Sequence, residues 1–110
     1  HGAVCAALLP PVMETNLKAL RERYAESESI GRYKEIASWL SGDADAGAED
    51  GVEWIRQLSS DLNIPPLRNY GIKESDLPEL IKKAAAASSM KANPLPLTEA
   101  ELDDIVRRVW

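Results

Sequence analysis

Few reactive side chains occur in this sequence. Its 110 residues include one histidine, His1, one cysteine, Cys5, and no phenylalanine, and aromatic residues make up only 5% of the chain. A single cysteine cannot form a disulfide within the chain, which fits a reducing compartment, and we expect a cytoplasmic protein. Cys5 lies in the most apolar run and is expected to act as a small buried hydrophobe. With one histidine and no nucleophile beside a base, the composition gives no catalytic set.

The charge balance and the apolar runs exclude several kinds of partner. The chain has 18 acidic against 13 basic residues and a net charge of −5. Such a surface repels phosphate backbones, so we expect no nucleic-acid partner. No basic cluster suits an anionic membrane surface. The uncharged run from Gly2 to Leu9 is far shorter than the roughly 20 residues that a membrane span needs, and without a basic leader it does not resemble a signal peptide.

Alternating strand patterns, internal repeats and a glycine-rich phosphate loop are also missing. Hydrophobic residues are 45% of the chain, which is enough for a core of mostly aliphatic side chains. The helical spacing of these residues predicts an all-α bundle of about five or six helices in one domain, residues 1–110. Without a strand followed by a G-x-G-x-x-G turn, this chain cannot form the usual dinucleotide cradle by itself.

Residues 1–16 form the most apolar stretch, and they predict a helix that is buried on all sides. Proline removes a donor and clashes with the preceding turn, so Pro10 and Pro11 are expected to interrupt this helix. A second pattern then resumes with apolar residues spaced four, three and four apart: Met13, Leu17, Leu20 and Tyr24. Because the chain opens inside an apolar helix, we expect it to be a piece of a larger protein.

Four further helices are predicted downstream. They cover about 30–40, about 46–62, the segment opened by Asp76, and the segment from Thr98 to the last residue. Gly42 and Gly71 are expected in the left-handed conformation. Asp43 or Asp45 is expected to cap the helix at about 46–62, and Asp76 is expected to cap the helix that it opens. Thr98 and Glu101 are expected to form a capping box. The acidic run at 43–50 lacks the EF-hand spacing, so no calcium site is expected. The tryptophans are interpreted as packing anchors: Trp39, Trp54 and Trp110.

His1-Gly2, then small residues, then Leu8-Leu9-Pro-x-Val-Met-x-x-Asn16 resembles a segment of the iron-containing (group III) alcohol dehydrogenases, in the dehydroquinate synthase-like superfamily. The pattern departs at Cys5, where the family has Asn, and at Thr15, where it has an aromatic residue. Later landmarks follow in order within 64–80 and 88–98. The resemblance therefore covers the whole chain, although residues 26–55 match only loosely.

The resemblance implies the helical C-terminal domain of a two-domain enzyme whose metal lies between the domains. His1 matches the family's last metal ligand. In such an enzyme Fe²⁺ or Zn²⁺ polarises the oxygen of a small alcohol or aldehyde, and a hydride passes to or from NAD(P). The other ligands and the N-terminal nucleotide-binding domain would lie upstream. One imidazole cannot hold a metal usefully, so this chain alone is expected to bind metal weakly or not at all and to be inactive.

Other interpretations stay open at this stage. In one alternative, the chain is an independent helical protein-interaction domain without catalysis, and its likeness to the family is accidental. Glycerol dehydrogenases and dehydroquinate synthases share the architecture, but the Leu-Leu-Pro-x-Val-Met and Asn-Pro landmarks favour the alcohol dehydrogenase branch. Asn16 and Asn93 are interpreted as capping or loop-bridging residues. The sequence leaves the substrate, NAD versus NADP, iron versus zinc and the oligomeric state undetermined, a homo-oligomer being one possibility.

Overall fold

A computed structural model of the chain describes residues 2–110, and that part is an all-α domain without strands, as predicted. Three short 3₁₀ helices, Leu67–Tyr70, Glu74–Asp76 and Ser88–Ala92, lie in the connections. The five α-helices are α1 (Gly2–Arg23), α2 (Glu28–Ser41), α3 (Ala48–Asp61), α4 (Leu77–Ala86) and α5 (Glu99–Val109).

The predicted break in the first helix is wrong. Helix α1 runs without interruption through Pro10 and Pro11, and both prolines are buried. Residues on either side of the pair also pack into the domain, because Ala7 lies in one apolar cluster and Met13 in another. Burial on both sides of the prolines offsets the loss of two backbone donors, which local propensity alone does not anticipate.

Most predicted helix boundaries are set by local capping. Gly42 ends α2 with φ +74°, and Gly71 ends the first 3₁₀ helix with φ +83°. Thr98 Oγ1 accepts a hydrogen bond from the Glu101 amide at 3.1 Å, and Glu101 Oε1 accepts one from the Thr98 amide at 2.9 Å. These three predictions are confirmed, since each depends only on neighbouring residues.

The predicted cap of α3 is wrong, whereas the predicted cap residue of α4 is correct in position but does not make the capping hydrogen bond. Gly47 occupies the N-cap of α3, and its amide donates to Asp50 Oδ2 at 2.8 Å. Asp43 Oδ1 instead accepts from the Asp45 amide at 2.9 Å, so neither residue caps the helix. Asp76 occupies the N-cap position of α4, as predicted, but its side chain does not bond to an amide of that helix. Its Oδ2 instead accepts from the Lys73 amide and closes the preceding 3₁₀ turn. The carboxylates of Asp43 and Asp76 thus each accept a hydrogen bond from a backbone amide of the loop before the helix.

Helices α2 and α3 approach each other closely at one point. A Cβ added to Gly51 of α3 would lie 2.9 Å from Cβ of Ala37 in α2. Ala37 is fully buried there. The two small residues therefore set the distance between the helices, and Val52 of α3 packs with Met13 and Leu17 of α1 in a shared apolar cluster.

The largest apolar cluster joins α1, α4, α5 and the link before α4. Its buried members are Ala7, Leu67, Leu77, Ile81, Leu102 and Val106. Trp110 packs at its edge and donates from Nε1 to the Ile72 carbonyl at 3.0 Å, as a packing anchor does. The prediction of a packing anchor is wrong for Trp39, which is 74% exposed, and only partly met by Trp54, which is 39% exposed.

Candidate functional site

The candidate site is the first half of α1, because it directly follows His1. The predicted ligand His1 itself lies outside the described residues. Gly2, Ala3 and Cys5 are exposed, and Leu9 is 45% exposed. The predictions that this helix is buried on all sides and that Cys5 is buried are therefore wrong for the chain by itself. One face of these turns presents an uncharged, largely apolar surface.

The opposite face of the same turns is held by the largest apolar cluster. Ala7 is 7% exposed, and Val4 and Leu8 pack partly buried beside it. Leu77 and Leu67, from the start of α4 and the link before it, lie in this cluster at 0% and 1% exposure. These contacts fix the axis of α1, and they therefore fix where the helix start projects from the domain.

A cavity of about 350 Å³ lies beside the proline pair. Its wall combines apolar side chains from α1 and the Ile64-Pro65-Pro66 link with Ser59, Ser60 and the arginines Arg56 and Arg108. Both arginines are engaged by carboxylates, Arg56 by Glu14 and Glu53 and Arg108 by Glu14 and Asp104. Two cations against three carboxylates give this region no excess of positive charge.

Glu14 joins three helices through one oxygen. Its Oε2 accepts from Arg56 of α3 and, at 2.9 Å, from Arg108 of α5. All three side chains are 40–47% exposed, so solvent screens these pairs and their net contribution is small. Sequence reasoning missed this cluster, because its members are 42 and 94 positions apart and no local pattern links them.

Asn16 is the polar group most deeply buried in α1, with 2% exposure. Its Nδ2 donates to Asn93 Oδ1 at 2.9 Å and to the Tyr33 hydroxyl at 3.2 Å. In return, Asn93 Nδ2 donates to Asn16 Oδ1 at 2.8 Å and to the Leu95 carbonyl at 2.9 Å. The interpretation of both asparagines as loop-bridging residues is confirmed. They attach the segment before α5 to the middle of α1.

The end of α1 is attached to the start of α5. Arg23 donates from Nη2 to Glu101 Oε1 at 3.0 Å and to the Pro96 carbonyl at 3.0 Å. Burial alone raises the pKa of Glu101, but hydrogen bonds from Arg23 and Thr98 outweigh it and lower that pKa overall. The hydrogen bond to Glu101 raises the pKa of Arg23. Folding therefore favours the ionised form of Glu101, which takes part in both the helix cap and the ion pair.

The described residues do not supply a metal site. Within 2–110 no three His, Cys, Asp or Glu side chains converge as a set that could hold an ion. A divalent metal prefers several imidazole, thiolate or carboxylate ligands. The assignment of His1 as one ligand of a metal held mainly by another part of the protein stays a prediction. No helix among residues 2–110 combines the length and the apolar character that a membrane span needs.

Comparison with known proteins shows which proteins the chain is related to. The family "Fe-containing alcohol dehydrogenase family, C-terminal" matches residues 1–110. The 1,3-propanediol dehydrogenases of Citrobacter freundii and Klebsiella pneumoniae are 33% and 35% identical to the chain over 112 residues, each match covering 100% of the chain and 28% of the relative. Lactaldehyde reductase of Escherichia coli strain K12 is 34% identical over 107 residues, with 96% of the chain and 26% of the relative covered. No solved structure gives a significant match.

The chain thus spans little more than a quarter of the length of these curated relatives. The match extends over all 110 residues, including the loosely matching region 26–55. An accidental likeness, on which the alternative of an unrelated interaction domain depended, does not account for agreement of this extent. The chain belongs to the iron-containing alcohol dehydrogenase family and corresponds to its C-terminal, all-α domain.

Proposed function

We propose that this chain is the helical half of an NAD(P)-linked, metal-dependent alcohol dehydrogenase, which interconverts a small alcohol and an aldehyde or ketone. The observation that carries the proposal is the family match over residues 1–110, which includes the motif from His1 to Asn16. The relatives are named for propanediol and lactaldehyde, so a short alcohol or aldehyde is the substrate class that we infer.

In this proposal His1 supplies one ligand to a divalent metal, Fe²⁺ or Zn²⁺, and the remaining ligands come from another part of the protein. Neutral imidazole suits either ion. When bound, the metal would polarise the substrate oxygen, and the nicotinamide of NAD(P) would exchange the hydride. The contribution of this chain is positional: the cluster around Ala7 and the Asn16–Asn93 pair hold the helix that begins next to the ligand.

The partner in this proposal is an N-terminal nucleotide-binding domain of the same protein, docked on the exposed turns of α1. Leu9 and its exposed neighbours at Gly2, Ala3 and Cys5 present apolar surface without charge. Contiguous apolar surface that a chain leaves uncovered is a feature of interaction sites. The chain also covers only 28% of the propanediol dehydrogenases, and it lacks the strand and glycine pattern of a dinucleotide cradle.

Metal content and turnover of the complete natural protein test the role of His1. We expect His1→Ala to lower bound iron or zinc, measured by elemental analysis, together with NAD(P)-linked turnover of a short aldehyde. Asn69→Ala, an exposed position far along the chain, serves as a control and should retain both. Undiminished metal content in folded His1→Ala protein would contradict the assignment of this ligand.

The isolated chain gives a second test. We expect the 110-residue domain alone to bind Fe²⁺ or Zn²⁺ weakly or not at all and to show no turnover with NAD(H) and a simple aldehyde, because one imidazole is not a metal site. Robust activity of the isolated domain would refute the proposal that the other metal ligands and the nucleotide-binding domain lie elsewhere in the protein. The cytoplasmic location stays a prediction from the single cysteine.

A further inference from the structure

The two consecutive prolines of α1 leave one backbone carbonyl without its helical donors. In an α-helix the carbonyl of Ala7 would accept from the amide of residue 11, and in a tighter 3₁₀ turn from the amide of residue 10. Both positions are prolines, Pro10 and Pro11, and proline carries no amide hydrogen. The side-chain donors that serve backbone carbonyls within residues 2–110 reach other carbonyls, those of Ala37, Ile72, Leu95 and Pro96.

Ala7 lies in the wall of the cavity beside the proline pair. Ala7 is 7% exposed and both prolines are buried, so these three residues form the floor of the cavity. A carbonyl that folding removes from water without giving it a donor costs free energy, and buried polar groups nearly always have a partner. The unused acceptor therefore favours a molecule that brings a hydroxyl hydrogen into the cavity.

The rest of the wall limits the chemistry of that molecule. Half-buried residues 64–66 of the link after α3 and Val109 of α5 supply apolar surface. Arg56 and Arg108 are outnumbered by the carboxylates that contact them, so the cavity disfavours an anion. Ser59, which is also half-buried, offers a hydroxyl that can both donate and accept. The wall therefore suits an uncharged molecule with an apolar body and few polar atoms.

We propose that this cavity binds a short, uncharged aliphatic alcohol, whose hydroxyl donates to the Ala7 carbonyl. The aliphatic body covers the prolines and Val109, which water alone would leave hydrated. The volume of about 350 Å³ lies at the lower end of small-molecule pockets, so the ligand is small. The site uses only residues of this chain other than His1, and the inference does not depend on the metal or on hydride transfer.

Methyl NMR on the complete natural protein tests the proposal, with Ile64 and Val109 as reporters in the cavity wall and Ile36 of α2 as the reference. The probe is tert-amyl alcohol, which has no hydrogen on the carbon that bears the hydroxyl and so cannot be dehydrogenated. We expect it to shift the signals of both reporters saturably, with a Kd in the millimolar range, and to leave Ile36 unchanged. Tert-amyl methyl ether keeps the apolar body but has no hydrogen to donate, and we expect its Kd to be roughly fivefold higher or more.

Two proline substitutions separate the carbonyl from the wall around it. Pro11→Ala gives residue 11 an amide hydrogen that closes the helical bond to the Ala7 carbonyl, so the difference in Kd between the alcohol and its ether should disappear. Pro10→Ala, the matched control, restores a donor to the carbonyl of residue 6 instead and should keep that difference. Alanine favours a helix over proline, so both variants should retain the far-UV circular dichroism of the natural protein.

Three results would each overturn the proposal. The first is an absence of saturable shifts at Ile64 and Val109 in the natural protein, as expected if the cavity holds only water or is covered by another part of the protein. The second is an ether that binds the natural protein as tightly as the alcohol, a comparison that needs neither variant. The third is equal discrimination between alcohol and ether by folded Pro10→Ala and Pro11→Ala.

Discussion

Removal of the Asn16 side chain should be one of the most damaging single changes in this domain. Asn16→Ala deletes two hydrogen bonds shared with Asn93, at 2.9 and 2.8 Å, and one to the Tyr33 hydroxyl at 3.2 Å. Asn16 is only 2% exposed, so water cannot replace these bonds at the α1 side. The substitution also leaves an amide-sized void under the segment that leads into α5.

The expected loss follows from the count of hydrogen bonds. Each contributes about 0.5–1.5 kcal/mol net, and an orphaned buried group adds to the loss. Asn93 keeps its bond to the Leu95 carbonyl and is partly exposed, so water can satisfy some of its remaining groups. We therefore expect the free energy of unfolding to fall by roughly 2–3 kcal/mol, which lowers the melting temperature by about 10 °C in a domain of this size.

Urea and thermal unfolding followed by far-UV circular dichroism measure this loss. Asn69→Ala removes the same amide from an exposed position and should change stability by less than about 0.5 kcal/mol. A double-mutant cycle between positions 16 and 93 should give a coupling of about 1 kcal/mol or more. A loss at Asn16 no larger than at Asn69, or a coupling near zero, would show that the pair does not attach this segment to α1.

Three further changes test the packing and the capping. Gly51→Ala should destabilise the chain by about 1–3 kcal/mol, because its Cβ would lie 2.9 Å from Cβ of Ala37. Thr98→Ala should cost about 1 kcal/mol, since it removes the acceptor for the Glu101 amide. The pKa of Glu101 is lowered by folding, so its contribution to stability is present above the pKa of an unfolded glutamate and is lost as the pH falls through the folded pKa. Glu101→Gln should flatten that part of the stability–pH curve.

Each of these predictions has its own control and its own contrary result. Gly31→Ala, where an added Cβ meets nothing within 4 Å, should instead stabilise α2 by about 0.5–1 kcal/mol. Equal effects at Gly51 and Gly31 would mean that the close approach of α2 and α3 does not matter. Ser60→Ala, a small hydroxyl residue exposed inside α3, is the comparison for Thr98. If the free energy of unfolding falls equally with decreasing pH in Glu101→Gln and in the natural chain, the lowered pKa of Glu101 is contradicted.

Local sequence determined the helices and several of their ends. The spacing of apolar residues predicted the all-α class, and helices α2 and α3 begin and end within about two residues of the predicted positions. Gly42, Gly71 and the Thr98 capping box were predictable because their bonds lie within one turn of the chain. The resemblance in residues 1–16, and with it the family, also needed no structure, because it depends on the order of residues alone.

Tertiary structure decided the rest. Pro10 and Pro11 remain helical because both are buried and the helix packs on either side of them. The Asn16–Asn93 pair and the two arginines on Glu14 join residues 42 to 94 positions apart, and periodicity carries no information about such distances. The exposure of Leu9, Cys5 and Trp39 was equally unpredictable, because an apolar residue indicates surface to be covered without indicating whether this chain or another covers it.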